Sequence, residues 1–124
     1  MNITMIGLGK LGLPVAESMA THHKVQGYDV NLGITSDKIN VRRSIDVAIE
    51  QAEIVFIAVP TPHDKMYGGE TPASHLPVKD FDYRYLEDVF KTIKENANSD
   101  QLIVNISTVL PGTLRPMVEK YGLQ

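Results

Sequence analysis

A chain of 124 residues, 43% apolar and 22% charged, is one domain's worth and can bury about two-thirds of its unfolded surface. A net charge of −3 without a basic cluster argues against a nucleic-acid surface, and no run approaches the roughly 18 apolar residues of a membrane helix. Cysteine is absent, which excludes disulfides, thiolate metal sites and a thiol nucleophile within these residues.

The first thirty residues set the pattern. A short apolar strand over about 2–6 runs into Gly7-Leu8-Gly9-Lys10-Leu11-Gly12, three glycines spaced G-x-G-x-x-G. A helix follows over about Lys10 to Thr21, with Leu11, Val15, Ala16 and Met19 as its apolar stripe and Pro14 in its second turn, where it should remove a hydrogen bond or add a slight kink. His22-His23 ends it; neighbouring helix residues face different ways, so a polar helix terminus explains the pair better than a metal site. A second strand, Lys24 to Asp29, closes on an acid about 20 residues beyond the middle glycine. Strand, glycine turn, helix, strand and acid together make a dinucleotide-binding βαβ unit. The first glycine permits the tight turn, the second lets backbone approach a pyrophosphate, and the third allows close packing of helix on strand. Free N–H groups at the helix start would hold the phosphates, and Asp29 would accept from a ribose hydroxyl. A tight turn that binds nothing explains the glycines and leaves Asp29 without a reason. The carboxylate also favours NAD over NADP, because it repels a 2′-phosphate and no arginine stands beside it to receive one.

Between the second strand and a short third one at Ile39-Asn40-Val41 there is room only for a turn or loop, where a parallel crossover normally needs a dozen residues or more. Ser44 to Gln51 reads as a short helix with Ser44 as N-cap. Ile54 to Val59 is the most apolar stretch, as suits a central parallel strand covered on both faces, and it stops at Pro60-Thr61-Pro62. A long loop from Pro60 to Asp80 follows, with Gly68-Gly69 near its middle; its His63, Asp64, Lys65 and His75 read as solvated loop residues. Asp82 is the expected N-cap of an amphipathic helix whose Leu86, Val89, Phe90, Ile93 and Ala97 cover the sheet. After a turn over Asn96 to Asp100, Leu102 to Ile106 is another buried strand, ending at Ser107-Thr108, and a last helix runs from about Thr113 to Tyr121. Without a basic-then-apolar leader pattern at the N-terminus, the cytoplasm is the expected setting.

This alternation predicts an α/β fold, a Rossmann-like doubly wound parallel sheet with strand order 3-2-1-4-5, in a single truncated domain. Ligands of such sheets sit beyond the carboxyl ends of the strands. Four features converge on that edge: the turn Gly7 to Gly12, Asp29, Val59-Pro60-Thr61 and Ser107-Thr108. Pro60 and Thr61 are expected on the nicotinamide ribose side, and Ser107 and Thr108 offer hydroxyls near the nicotinamide or a substrate. A simple turn or helix cap explains Ser-Thr after a strand equally well.

Four pieces resemble one family, the nucleotide-sugar 6-dehydrogenases that act on UDP-glucose and GDP-mannose. They are Ile6-Gly7-Leu8-Gly9-Lys10-Leu11-Gly12-Leu13-Pro14, Gly27-Tyr28-Asp29-Val30-Asn31, the run from Ala52 through Pro60-Thr61-Pro62, and Ser107-Thr108-Val109-Leu110-Pro111-Gly112-Thr113. The last two are far more specific than the glycine turn, and Val109-Leu110-Pro111 is similar to the GDP-mannose branch. The resemblance implies NAD-dependent oxidation of a sugar C6 alcohol to a carboxylate in two steps. It implies cofactor-binding roles for Gly7, Leu8, Gly9, Lys10, Leu11, Gly12, Asp29, Val59, Pro60, Thr61, Ser107 and Thr108, with Thr108 the nearest residue to a catalytic one. The family's cysteine nucleophile, its lysine and asparagine in later domains, and its glutamate motif beyond Ser-Thr-Val have no counterpart here, so this chain is expected to be inactive alone and to meet a nucleotide sugar only beside the central and C-terminal domains. The short second crossover, which removes a segment where relatives carry a basic residue near the adenosine ribose, and the long loop after Pro62 mark a divergent branch. A stand-alone nucleotide-binding or interaction module, dimerising through the exposed edge of the fifth strand, is the rival reading, and a β-hydroxyacid-type dehydrogenase fits the Pro-Thr-Pro and Ser-Thr signatures less well.

Overall fold

The computed structural model describes residues 1–62 and 82–123. Five parallel strands form one sheet: β1 (Asn2–Ile6), β2 (Lys24–Tyr28), β3 (Asn40–Val41), β4 (Ile54–Ile57) and β5 (Leu102–Asn105), in the spatial order β3-β2-β1-β4-β5. This is the expected doubly wound order. Ile3 sits opposite Val25 on one side and Ile54 on the other, Ile54 in turn opposite Leu102, and Gln26 opposite Asn40, so β2, β1 and β4 are the interior strands. The helices are α1 (Gly12–Met19), α2 (Ile45–Glu50), α3 (Arg84–Asn96) and α4 (Leu114–Lys120).

Side-chain alternation divides the core between two faces. Ile6, Val55 and Ile57 point to the side covered by Ile49 of α2, Leu86, Phe90 and Ile93 of α3, and Met117 of α4. Ile3, Met5 and Val25 point to the other, against Ala16 of α1 and Ile39. Burying an aliphatic side chain such as Ile57, fully enclosed here, contributes about 1.5–3 kcal/mol.

Helix α2 has only six residues and is tied down by side chains from the strands. The buried Thr4 hydroxyl donates to the Ala48 carbonyl at 2.5 Å, and Gln26 Nε2 donates to the same oxygen at 2.9 Å. Gln101, at the entrance to β5, donates from Nε2 to the Ile49 and Ala52 carbonyls at 2.6 and 2.8 Å. Carbonyls at a helix end have no partner within the helix, and these donors supply one.

Several boundaries differ from the sequence reading. Helix α1 begins at Gly12, so Pro14 lies in its first turn, where no intrahelical N–H bond is missed, and the expected kink has no cause. Leu11 is exposed rather than part of the stripe; Gly12 and Ala16, one turn apart, form the buried seam. Ser44 has the extended backbone of an N-cap but its hydroxyl makes no capping bond. Helix α3 starts at Arg84, and Asp82 caps it from outside by accepting the Arg84 N–H at 3.1 Å. Strand β5 is half-exposed rather than buried, because it is the outer strand and α1 packs over β1 and β2.

The abbreviated link from β2 to β3 is a loop, as expected. An Asn31 side chain folds back to accept the Gly33 N–H at 3.0 Å, and the Ser36 hydroxyl donates to the Glu17 carboxylate of α1 at 2.9 Å. Gly68-Gly69, His63, Asp64, Lys65 and His75 lie outside the described residues; the flanks of that segment meet where the Asp82 N–H donates to the Pro62 carbonyl at 2.8 Å.

Candidate functional site

The three glycines of the first turn have different physical reasons. Gly7 has φ +101°, and a β-carbon there would lie 2.3 Å from the Ala58 carbonyl oxygen. A β-carbon on Gly12 would lie 1.9 Å from the Gly7 carbonyl oxygen. The fold therefore demands both. Gly9 is another matter: its φ is ordinary and a β-carbon would meet nothing within 4 Å. The space in front of Gly9 is open, and the N–H groups of Gly9, Lys10, Leu11 and Gly12 have no hydrogen-bond partner among the described residues. Open space before unpaired N–H donors at a helix start is the setting an anionic group requires.

Asp29 closes this turn from the side. Its Oδ2 accepts the Leu8 N–H at 2.7 Å and its Oδ1 accepts the Asn31 N–H at 2.9 Å. The Leu8 side chain is buried against Gly27, so Leu8 acts on the site through its backbone alone.

Two cavities meet at the carboxyl edge of the sheet. One, of about 260 Å³, is lined by Gly9, Lys10, Leu11, Asp29, Ala58, Val59, Pro60, Thr61, Ser107 and Thr108. The other, of about 390 Å³, lies on the α3 side and is lined by Gly7, Tyr28, Asp29, Val30, Val59, Pro60, Tyr85, Asp88, Val89 and Thr92, among others. Asp29, Val59 and Pro60 belong to both, so the two spaces form one trough running across the strand ends. Nine of the twelve residues singled out by sequence line the smaller cavity, and Gly7 lines the larger; Leu8 and Gly12 shape the turn from behind.

The hydroxyls after β5 are not equivalent. Ser107 is held by its neighbours: its N–H donates to the Ile57 carbonyl at 3.2 Å and its own carbonyl accepts from Asn105 Nδ2 at 3.1 Å. Thr108 is exposed and its hydroxyl has no partner among the described residues.

Sequence reasoning missed two groups. Tyr85, Asp88 and Thr92 of α3 line the larger cavity, at the i, i+3, i+7 spacing of one helix face that adjoins the apolar stripe. The expectation that no arginine stands near Asp29 is also corrected. Arg42 and Arg43 line a third cavity, of about 300 Å³, together with Asp29, Asn31, Thr35 and Ser36. They are remote from Asp29 in the chain and near it in space, because β3 runs parallel beside β2 and both end at the same edge.

The model of the UDP-glucose/GDP-mannose dehydrogenase family, NAD binding domain, matches residues 31–122. The chain belongs to this family. The match begins beyond the glycine turn, and the family it names is an NAD-binding one. Protein CapL of Staphylococcus aureus is 32% identical over 98% of the chain, which covers 31% of that protein. A UDP-N-acetyl-D-mannosamine dehydrogenase of Methanococcus maripaludis is 28% identical over 94% of the chain and 30% of its own length. The fold matches a GDP-mannose dehydrogenase from Pseudomonas aeruginosa with a TM-score of 0.76 at 24% identity, over 98% of this chain and 32% of that one. This NAD-binding domain therefore spans about a third of the length of the relatives it matches. No helix among its described residues is long and apolar enough to cross a membrane.

Proposed function

We propose that this domain holds NAD in the trough across the carboxyl edge of its sheet, as the oxidant-binding part of a nucleotide-sugar dehydrogenase that converts a sugar C6 alcohol to a carboxylate. The observation that carries the reading is the open space before Gly9: the fold does not need glycine there, and a pyrophosphate does. In this arrangement the N–H groups from Gly9 to Gly12 hold the pyrophosphate, and Asp29 accepts from the adenosine ribose. The larger, mostly apolar cavity suits the adenine ring, with Val89 and Tyr85 against it. Pro60 and Thr61 line the nicotinamide ribose side, and the Thr108 hydroxyl stands where it can reach the nicotinamide or the sugar. NAD, when bound, supplies the hydride acceptor.

The sugar half of the site belongs to central and C-terminal domains in this proposal, since the 124 residues contain no cysteine to act as nucleophile. The names of the relatives favour a nucleotide sugar as the substrate class, and a cytoplasmic setting goes with that chemistry. Calorimetry on the purified chain should show NAD binding more tightly than NADP, with Asp29→Ala weakening NAD about tenfold through loss of a hydrogen bond to a charged acceptor. No NADH should form from UDP-glucose, GDP-mannose or UDP-N-acetylmannosamine. NADH production by the chain alone, or equal affinity of the wild type for both cofactors, overturns this reading.

One feature favours a second reading, a stand-alone nucleotide-binding or interaction module. The outer edge of β5 pairs with nothing among the described residues and Leu102 on it is 58% exposed. Edges of this kind invite pairing with another chain. A homodimer through β5 is the expected form under this reading, and a strictly monomeric protein by light scattering removes its support.

A further inference from the structure

We infer that the arginine pair at the end of β3 is a subsite for a phosphate monoester on the adenosine ribose, so that the chain accepts NADP as a second, weaker ligand and Asp29 alone sets the preference for NAD. The inference rests on the proposal that a dinucleotide lies in the trough with its adenosine ribose at Asp29. A cavity of about 300 Å³ shares Asp29 with that trough and is lined as well by Asn31, Thr35, Ser36, Arg42 and Arg43. The ribose hydroxyls that reach Asp29 would therefore direct a 2′-substituent toward this space.

The lining has the chemistry of an anion receptor. Arg42 is fixed in place: its backbone N–H donates to the Gly27 carbonyl at 2.7 Å and its Nε to Gln26 Oε1 at 2.9 Å, which leaves its terminal guanidinium nitrogens without a hydrogen bond among the described residues. Arg43 is exposed and makes no hydrogen bond or ion pair among the described residues. Two guanidinium groups and the Asp29 carboxylate line this cavity, and the Glu17 carboxylate accepts from the Ser36 hydroxyl of the same lining, so the arginines are the donors here free to meet an anion. Guanidinium pairs with phosphate oxygens through parallel N–H bonds, and a hydroxyl or amide beside it adds further donors. The carboxylate opposes a 2′-phosphate by like-charge repulsion, and its two oxygens already accept the Leu8 and Asn31 N–H groups. The result is a site where attraction and repulsion act on the same phosphate, and where the cations come from the residues after β3 rather than from the loop after β2.

The test is titration calorimetry of the 124-residue chain with NAD, NADP, 5′-AMP and adenosine 2′,5′-bisphosphate at two salt concentrations. Arg43→Ala should weaken NADP and the bisphosphate about three- to tenfold more than NAD and AMP, an exposed charge-assisted contact being screened by water. Asp29→Asn, which keeps an oxygen for one of the two N–H donors, should tighten NADP relative to NAD about tenfold, and Asp29→Asn with Arg43→Ala should cancel that gain. NADP affinity should also fall more steeply with salt than NAD affinity. If NAD binds and Arg43→Ala changes the NADP-to-NAD ratio by less than twofold, the arginine subsite is overturned and the NAD reading stands. If wild-type chain binds neither dinucleotide, both fall together.

Discussion

Replacing each glycine of the first turn by alanine separates folding from binding. On Gly12 the new methyl would sit 1.9 Å from the Gly7 carbonyl oxygen and 2.9 Å from its carbon, an overlap with backbone that no rotamer relieves. Forced overpacking of this kind costs about 1–3 kcal/mol or more. On Gly7 the methyl would approach the Ala58 carbonyl to 2.3 Å on a backbone at φ +101°, which adds about 1–3 kcal/mol of conformational strain. On Gly9 it would meet nothing within 4 Å. Alanine at a compatible backbone position stabilises by about 0.4–1 kcal/mol, because the unfolded chain loses freedom. Gly9→Ala should therefore raise the thermal midpoint by about 1–5 °C, while Gly7→Ala and Gly12→Ala lower it. The same methyl fills the space proposed for the pyrophosphate, so Gly9→Ala should lose at least about tenfold in NAD affinity, the equivalent of one charge-assisted hydrogen bond. Circular dichroism melts and calorimetry on the three variants decide it. A Gly9→Ala protein that is destabilised like Gly12→Ala, or that binds NAD as tightly as the wild type, refutes the reasoning.

Two further outcomes concern the frame of the site. Gln101→Ala removes the donor shared by the Ile49 and Ala52 carbonyls and should destabilise the chain by about 1–3 kcal/mol in urea unfolding; a change below 0.5 kcal/mol would mean water replaces the amide fully. The Arg84 guanidinium, hydrogen-bonded to Asp82, holds that carboxyl below its ordinary 3.8. A folded-state pKa below the unfolded one gives a contribution to stability that is present above 3.8 and is lost as pH falls through the folded value. An NMR titration should show the Asp82 midpoint rising toward 3.8 in Arg84→Gln, and an unchanged midpoint would contradict this assignment.

Much of the architecture was legible because it depends on local pattern. Apolar runs over β1 and β4, glycine spacing and the helical stripe of α3 are one-dimensional signals, and strand order follows the doubly wound pattern of alternating strands and helices. The stripe of α1 misled at Leu11, because helix start and seam were decided by the close approach of Gly12 to Gly7, a contact that periodicity does not encode. Pro14 misled for the same reason: a shift of the helix start moves proline from a costly position to a neutral one.

By itself the sequence determined the glycine turn, the acid at the end of β2, and the Pro60-Thr61-Pro62 and Ser107-Thr108 signatures that mark the family. Chemistry of that kind resides in residue type and spacing along one chain. Only the tertiary structure decided that Gly9 faces open space while Gly7 and Gly12 face backbone, that Ser107 is tethered while the Thr108 hydroxyl has no partner among the described residues, and that Arg42 and Arg43 line a cavity with Asp29. Those depend on which carbonyl or side chain another strand brings near, and pairing of β2 with β3 in parallel puts two distant stretches of chain at one edge of the sheet.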